Sequence, residues 1–122
     1  MSLILIVEDD ADINVAIQDV LGDEGYDCKS ALNGDDGFRL LIEDEPDLVL
    51  LDLDLPGMTG SEFLQRKEAV SAVAAIPVIV ITGLMRVPRL DGVVAVLGKP
   101  FTLDALVDLT RKCASTKESE TA

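Results

Sequence analysis

Four short aliphatic runs, each leading into a polar side chain, constrain this chain more than any other feature. Residues 3–7 lead into Glu8-Asp9, residues 47–51 into Asp52, residues 78–81 into Thr82, and residues 93–97 to Lys99-Pro100. Runs of this length and composition read as strands buried on both faces, the pattern of a parallel sheet covered by helices. In such a sheet, ligands bind beyond the carboxyl ends of the strands. Three carboxylates, a hydroxyl and an ammonium are therefore expected along one edge, a set that suits a divalent metal and a phosphoryl group.

The segments between the runs carry helical periodicity. Ile13, Ala16, Ile17, Val20 and Leu21 share one face, with Asp10 as the expected N-cap and Gly22 or Gly25 as the stop. Residues 26–31 read as a weaker strand. Asn33 is the expected cap of a second helix through about residue 43, and Pro56-Gly57 marks a turn. A third helix is expected over 61–73, with Phe63, Leu64, Lys67 and Val70 spaced along it. Thr102 caps a last helix that presents Leu103, Leu106, Val107 and Thr110 on one face.

The order β-α-β-α-β-α-β-x-β-α predicts an α/β fold: a flavodoxin-like three-layer sandwich around a five-stranded parallel sheet in the order 2-1-3-4-5. The switch point of that order lies between the first and third strands, which deliver Glu8-Asp9 and Asp52. The stretch between Thr82 and Lys99 holds Pro88, Gly92 and little helical periodicity, so the fourth helix is expected to be short or absent. One domain over 1–114 and a polar, frayed tail over 115–122 complete the expectation.

Composition narrows the function classes. The 122 residues carry a net charge of −13 at pH 7. That disfavours nucleic acid and anionic membranes as partners and suits basic protein surfaces and divalent cations. The chain has no histidine, which excludes His-based triads and the usual zinc sites. Cys28 and Cys113 are too few and too far apart for a disulfide framework and read as reduced structural thiols. No run approaches the ~18 apolar residues of a membrane-spanning helix, and the N-terminus lacks a basic, cleavable leader pattern. A cytoplasmic location is expected.

Carboxylates do not converge for stability. Two unit charges ~4 Å apart repel by about 4 kcal/mol at an effective dielectric near 20. A hard cation resolves the conflict, and Mg²⁺ favours one or two carboxylates together with waters and phosphate oxygens. Glu8 and Asp9 are the candidate metal ligands, beside Asp10 in its capping role. Capping and helix-dipole complementation alone do not account for three consecutive acids.

Asp52 is a candidate nucleophile, because an aspartate can become an aspartyl phosphate; a carboxylate that merely solvates a strand end is the plainer reading. Asp54 could lend its main-chain carbonyl to a metal, while its side chain reads equally well as a solvated loop acid. The Thr82 hydroxyl could donate to a phosphoryl oxygen, with Gly83 leaving room for it. The Lys99 ammonium suits phosphate as a point charge, and Pro100 after it makes a rigid turn compatible with a cis bond.

Taken jointly, the segments ILIVEDD (4–10), PDLVLLDLDLPGMTG (46–60), PVIVITG (77–83) and LGKPF (97–101) resemble the receiver domain of bacterial two-component response regulators, a likeness that extends over residues 3 to about 113. The resemblance implies Asp52 as phosphoacceptor and Glu8 and Asp9 as the acidic pair holding Mg²⁺, with Asp9 the direct ligand. Asp52 itself and the Asp54 carbonyl would complete the metal shell, and Thr82 and Lys99 would bind the phosphoryl oxygens. The donor would be a histidine kinase or a histidine phosphotransfer protein. A separate output protein would read the switched surface. Enzyme activity would not extend beyond self-phosphotransfer and slow autodephosphorylation. The expectation is a stand-alone phosphorylatable switch or phosphate shuttle with no DNA-binding domain of its own.

Two departures from the resemblance stand out. Receivers often carry Tyr or Phe three residues before the lysine, where this chain has Val96, and the stretch between Thr82 and Lys99 is short. Leu84 sits where receivers tune water access to the phosphoaspartate.

Three other readings compete. A receiver-like module that binds partners without phosphorylation is favoured by Val96 and the altered stretch before Lys99, and opposed by the complete set of chemical residues. Asp52-Leu53-Asp54-Leu55 also resembles the D-x-D-x opening of haloacid-dehalogenase phosphatases. In those enzymes the motif lies on the first strand and the acidic pair comes last, whereas here the pair comes first. A flavodoxin would need a Ser/Thr-rich phosphate loop after the first strand, where Glu8, Asp9 and Asp10 would repel a phosphate.

Overall fold

The aliphatic runs lie side by side. The computed structural model describes residues 2–84 and 90–121, with side chains as far as residue 114. In it β1 (Leu3–Val7), β2 (Asp27–Ala31), β3 (Leu48–Asp52), β4 (Val78–Thr82) and β5 (Val93–Gly98) form one sheet in the order β2-β1-β3-β4-β5. Every pairing is parallel. β3 and β4 are buried at every position and β1 at all but the first, as their unbroken apolar sequences require. The edge strands β2 and β5 alternate instead; β2 is accordingly mixed in sequence, whereas β5 is apolar throughout and, contrary to the expectation of burial on both faces, leaves Val94 and Val96 about half exposed because among the described residues no strand lies beyond it.

Helices α1 (Ala11–Asp23), α2 (Gly34–Asp44), α3 (Gly60–Glu68), α4 (Ser71–Ala74) and α5 (Leu103–Thr121) cover the two faces. On one face Ile4, Ile6, Leu48, Leu50, Ile79 and Ile81 pack with Ile17, Leu21, Leu106 and Val107 of α1 and α5. On the other, Leu5, Val7, Val49, Leu51, Val78 and Val80 pack with Leu41, Phe63 and Leu64 of α2 and α3. Alternate residues of one strand thus feed two separate cores, giving the three layers expected from the sequence. Among the described residues the sandwich holds five helices.

Local signals place the helix starts. The Asp10 carboxylate accepts from the amides of Asp12 and Ile13 (3.0 and 3.1 Å), Asn33 Oδ1 from the amide of Asp36 (2.8 Å), and Thr102 Oγ1 from the amide of Ala105 (3.1 Å). Of the two glycines proposed to stop α1, Gly25 takes the left-handed conformation (φ 94°) that favours this residue.

Two expectations need adjustment, and a third falls largely outside the described residues. The helix expected over 61–73 is two: α3 ends at Glu68, Val70 is extended (φ −111°, ψ 104°), and α4 restarts at Ser71. β-branched Val70 leaves the helix at low cost. The break lets Lys67, fully buried rather than merely lining a face, donate from Nζ to the carbonyl of Ala74 (2.7 Å), with Glu68 Oε1 at 3.7 Å. Burial lowers the Lys67 pKa, against the raising influence of Glu68. Second, α5 continues to Thr121, through the segment expected to be a frayed tail. Third, the helix expected to be short or absent between β4 and β5, with Pro88, falls largely on residues 85–89, outside the described residues. Gly83, Leu84, Leu90, Asp91 and Gly92 beside it are not helical.

The start of α3 lies hard against the strand end that carries Asp52. A Cβ on Gly60 would sit 2.7 Å from Leu53 Cα and 3.2 Å from the Asp52 carbonyl oxygen, both backbone atoms. Gly60→Ala is therefore expected to destabilise the fold by about 1–3 kcal/mol. By contrast, Gly22→Ala in α1, whose Cβ would meet nothing within 4 Å among the described residues, should stabilise it by up to about 1 kcal/mol. Urea denaturation of the two variants checks the contrast.

Candidate functional site

Glu8 leaves β1 with its backbone tied on both sides. Its amide donates to the Ala31 carbonyl of β2 (3.1 Å), and its own carbonyl accepts from Asn14 Nδ2 (3.1 Å). Asn14, buried on α1, also donates from Nδ2 to the Ala31 carbonyl (3.1 Å), and its Oδ1 accepts from Gln18 Nε2 (2.7 Å). This brace did not emerge from the sequence. Its only trace there is an amide side chain beside the apolar stripe of α1, one turn past the cap.

The brace fixes a buried carboxylate. Glu8 is 1% exposed; its Oε1 accepts from the Asp10 amide (3.2 Å). Its Oε2 has no hydrogen-bond partner among the described residues, with Lys99 Nζ 3.7 Å away. Asp52, at the end of β3, is equally buried. Its Oδ1 accepts from the Asp54 amide (2.8 Å) and its Oδ2 from Lys99 Nζ (3.0 Å). Lys99 arrives from the end of β5, where its amide donates to the Thr82 carbonyl (2.8 Å) and the bond to Pro100 is cis. Desolvation lowers the Lys99 pKa, but the hydrogen bond to Asp52 and the charges of Asp52, Glu8 and Asp54 outweigh it, and the net shift is upward. The ammonium stays charged.

Glu8, Asp9 and Asp52 each present a carboxylate oxygen within 4.8 Å of the others, Asp9 from the solvent side. Three acids against one ammonium leave a negative excess, and the orphaned Glu8 Oε2 is a buried acceptor in need of a donor or a cation. The hard oxygen donor set fits a divalent ion of the Mg²⁺ class.

Thr82 reaches the same edge, but among the described residues its hydroxyl is not hydrogen-bonded to Asp52. Its buried hydroxyl donates to Asp54 Oδ2 (3.4 Å) and accepts from the Leu84 amide (3.1 Å). The Gly83 amide donates to the same Asp54 oxygen (3.2 Å). The Asp54 side chain, which read equally well as a solvated acid, thus bridges the ends of β3 and β4. Val96 and Leu84 are both about half exposed (46% and 52%). Beside Lys99, residues Ile13, Ala16, Pro100, Phe101 and Leu103 line a largely apolar cavity of about 500 Å³.

This arrangement has relatives. The response regulator receiver domain family model matches residues 4–111. Sporulation initiation phosphotransferase F of Bacillus subtilis (strain 168) is 33% identical over 114 residues, which cover 89% of this chain and 90% of that protein. The probable transcriptional regulator ycf29 of Porphyra purpurea is 34% identical over 113 residues, covering 88% of this chain and 54% of that protein. Among solved structures, a CheY-like response regulator receiver domain protein from Methanospirillum hungatei JF-1 aligns with a TM-score of 0.88 at 25% identity, covering 98% of each chain. The chain therefore spans nearly all of the first relative and about half of the second.

The buried Glu8 carries a pH signature. Desolvation is the main cause that lifts its pKa from 4.5 to about 7; the Asp10 amide opposes the rise, Asp52 adds to it by accepting from Glu8 once Glu8 is protonated and by its charge, and the Lys99 charge opposes it. Between these two values the folded protein holds a proton that the unfolded chain has released, so stability falls as pH rises from about 4.5 through about 7. Thermal denaturation in buffer free of divalent cations should show this loss, a few kcal/mol at most. Glu8→Gln should be less sensitive to pH over the same interval, and identical pH profiles for the two proteins would contradict the assignment.

Proposed function

This chain belongs to the response regulator receiver family, and from that premise we propose that it is a phosphoacceptor switch. Asp52 takes a phosphoryl group from a phosphohistidine of a kinase or phosphotransfer protein, and the altered site changes a surface read by an output protein. The observation that best supports this reading is the Lys99 ammonium, delivered from β5 to 3.0 Å from Asp52 Oδ2 inside an acidic cluster. An acid meant only to solvate a strand end does not need a buried position and a dedicated cation.

The chemistry is an in-line displacement. One oxygen of the Asp52 carboxylate forms a bond to phosphorus as the P–N bond of the donor breaks, and the imidazole leaves with a proton from solvent. The Asp54 amide and Lys99 each bond one Asp52 oxygen and so fix the rotation of the nucleophilic carboxylate. Lys99 and the Thr82 hydroxyl then face the phosphoryl oxygens. Glu8 and Asp9, with Asp52 and the Asp54 carbonyl, are the residues assigned to Mg²⁺, Asp9 as direct ligand. When bound, that ion supplies positive charge against the phosphoryl oxygens and the crowded carboxylates.

The donor would find its footing in the apolar cavity beside Lys99, lined by Ile13 and Ala16 of α1 and by Phe101 and Leu103 at the start of α5. Turnover of a phosphorylated small molecule is not part of the reading, and neither is contact with nucleic acid, given a net charge of −13. No helix among the described residues is long and apolar enough to cross a membrane. Likeness to a protein named as a phosphotransferase, covered along 90% of its length, also supports a phosphate shuttle.

Intact mass after incubation with phosphoramidate tests the reading. Wild type should gain one phosphoryl group in the presence of Mg²⁺ and not in excess chelator. Asp52→Asn should gain none, and Lys99→Ala should react on the order of a hundredfold more slowly. Failure of the wild type to gain mass would overturn the proposal and leave the phosphorylation-independent binding module in its place.

A further inference from the structure

Resting on the phosphoacceptor reading, we infer that the Asp54 side chain is a positioning residue that latches Thr82 away from the phosphorylation site until a phosphoryl group displaces it. A threonine hydroxyl has a single proton to donate. Here it points to Asp54 Oδ2 at 3.4 Å, and the neighbouring Gly83 amide donates to the same oxygen at 3.2 Å. The Asp54 backbone amide is at the same time bonded to Asp52 Oδ1 at 2.8 Å. One residue therefore couples the phosphoacceptor to the threonine: its main chain reads Asp52 and its carboxylate holds β4.

The two bonds of Thr82 exclude each other. A hydroxyl that donates to Asp54 cannot donate to a phosphoryl oxygen on Asp52. Asp54 is exposed, whereas Thr82 is fully buried. The carboxylate can swing into water when a second, more strongly charged acceptor arrives, while the threonine only has to rotate. Val96, three residues before Lys99, offers no aromatic ring or polar atom to hold the hydroxyl. Among the described residues its partners are Asp54 Oδ2 and the Leu84 amide. The latch sets the resting position of Thr82 and acts against occupancy of the site.

Removal of a nearby negative charge would by itself favour an anion, so the test must separate the latch from charge. Beryllofluoride with Mg²⁺ serves as the phosphoryl probe, with binding followed by NMR. Asp54→Ala should bind it about three- to tenfold more tightly than wild type, the size expected for directly coupled groups. Asp54→Asn, equally neutral but still able to accept from Thr82, should gain less. In a Thr82→Val background the gain from Asp54→Ala should shrink towards the effect of charge alone.

The Thr82 rotamer, read from three-bond couplings to its methyl carbon, should be single in the wild type, change on loading, and already be averaged in unloaded Asp54→Ala. Equal gains for Ala and Asn, a gain undiminished by Thr82→Val, no gain at all, or an unmoved Thr82 rotamer in the loaded wild type would each overturn the latch. If the wild type does not bind the probe, the phosphoacceptor reading fails and the latch falls with it.

Discussion

Everything at the functional edge follows from burying Glu8 and Asp52 side by side at the carboxyl ends of adjacent strands. Both are 1% exposed, at the ends of strands that have no polar alternative for their backbone path. Like charges at such spacing repel by several kcal/mol even with generous dielectric relief, about 4 kcal/mol at ~4 Å. The surrounding contacts reduce that repulsion. The Asp10 amide serves one carboxylate, the Asp54 amide the other, and Lys99 stands by both at 3.7 and 3.0 Å. The compensation is incomplete. An oxygen of Glu8 stays without a hydrogen bond, and Glu8 holds its proton to near-neutral pH. A site left in this condition is prepared for an added positive charge, which is the physical content of calling it a cation site.

The fold makes this arrangement rigid enough to matter. Parallel strands whose side chains feed two cores cannot shift register without exposing a whole set of aliphatic residues. The strand ends therefore arrive at fixed heights, with Asp52 opposite Ile81 and Thr82 opposite Gly98. Asn14 pins the backbone where β1 becomes α1, and Gly60 lets α3 begin in contact with the Asp52 carbonyl. Among the described residues, what lies outside this frame at the site is the exposed Asp54 carboxylate, to which the buried Thr82 hydroxyl is bonded. A switch assembled from such parts changes its hydrogen bonds without changing its core.

How much of this was legible in the sequence depended on range. The aliphatic runs disclosed the strands, since a fully buried strand has only one kind of residue to use, and sheet order followed from alternation with helices. Asp10, Asn33 and Thr102 declared their helices because capping is a local bond. The polar residues at strand ends were legible as a set for the same topological reason. What remained hidden was long-range. Nothing near Val70 in the sequence says that α3 must stop so that Lys67 can reach Ala74. Asn14 looks like a surface amide until β1 and β2 are placed against it. The Asp54 carboxylate meets Thr82 across 28 positions of sequence, and only the packed sheet shows that it accepts the one proton the Thr82 hydroxyl has to give.

The central claim is that the acids converge to share a cation, and a Mg²⁺ titration followed by backbone amide NMR addresses it most directly. The account predicts that shifts concentrate at residues 8–10 and 52–54, and that Asp9→Asn and Asp52→Asn each weaken binding by at least about tenfold. Shifts scattered over the acidic surface, with affinity unmoved by either substitution, would show that the convergence of Glu8, Asp9 and Asp52 serves the fold alone and would contradict the account.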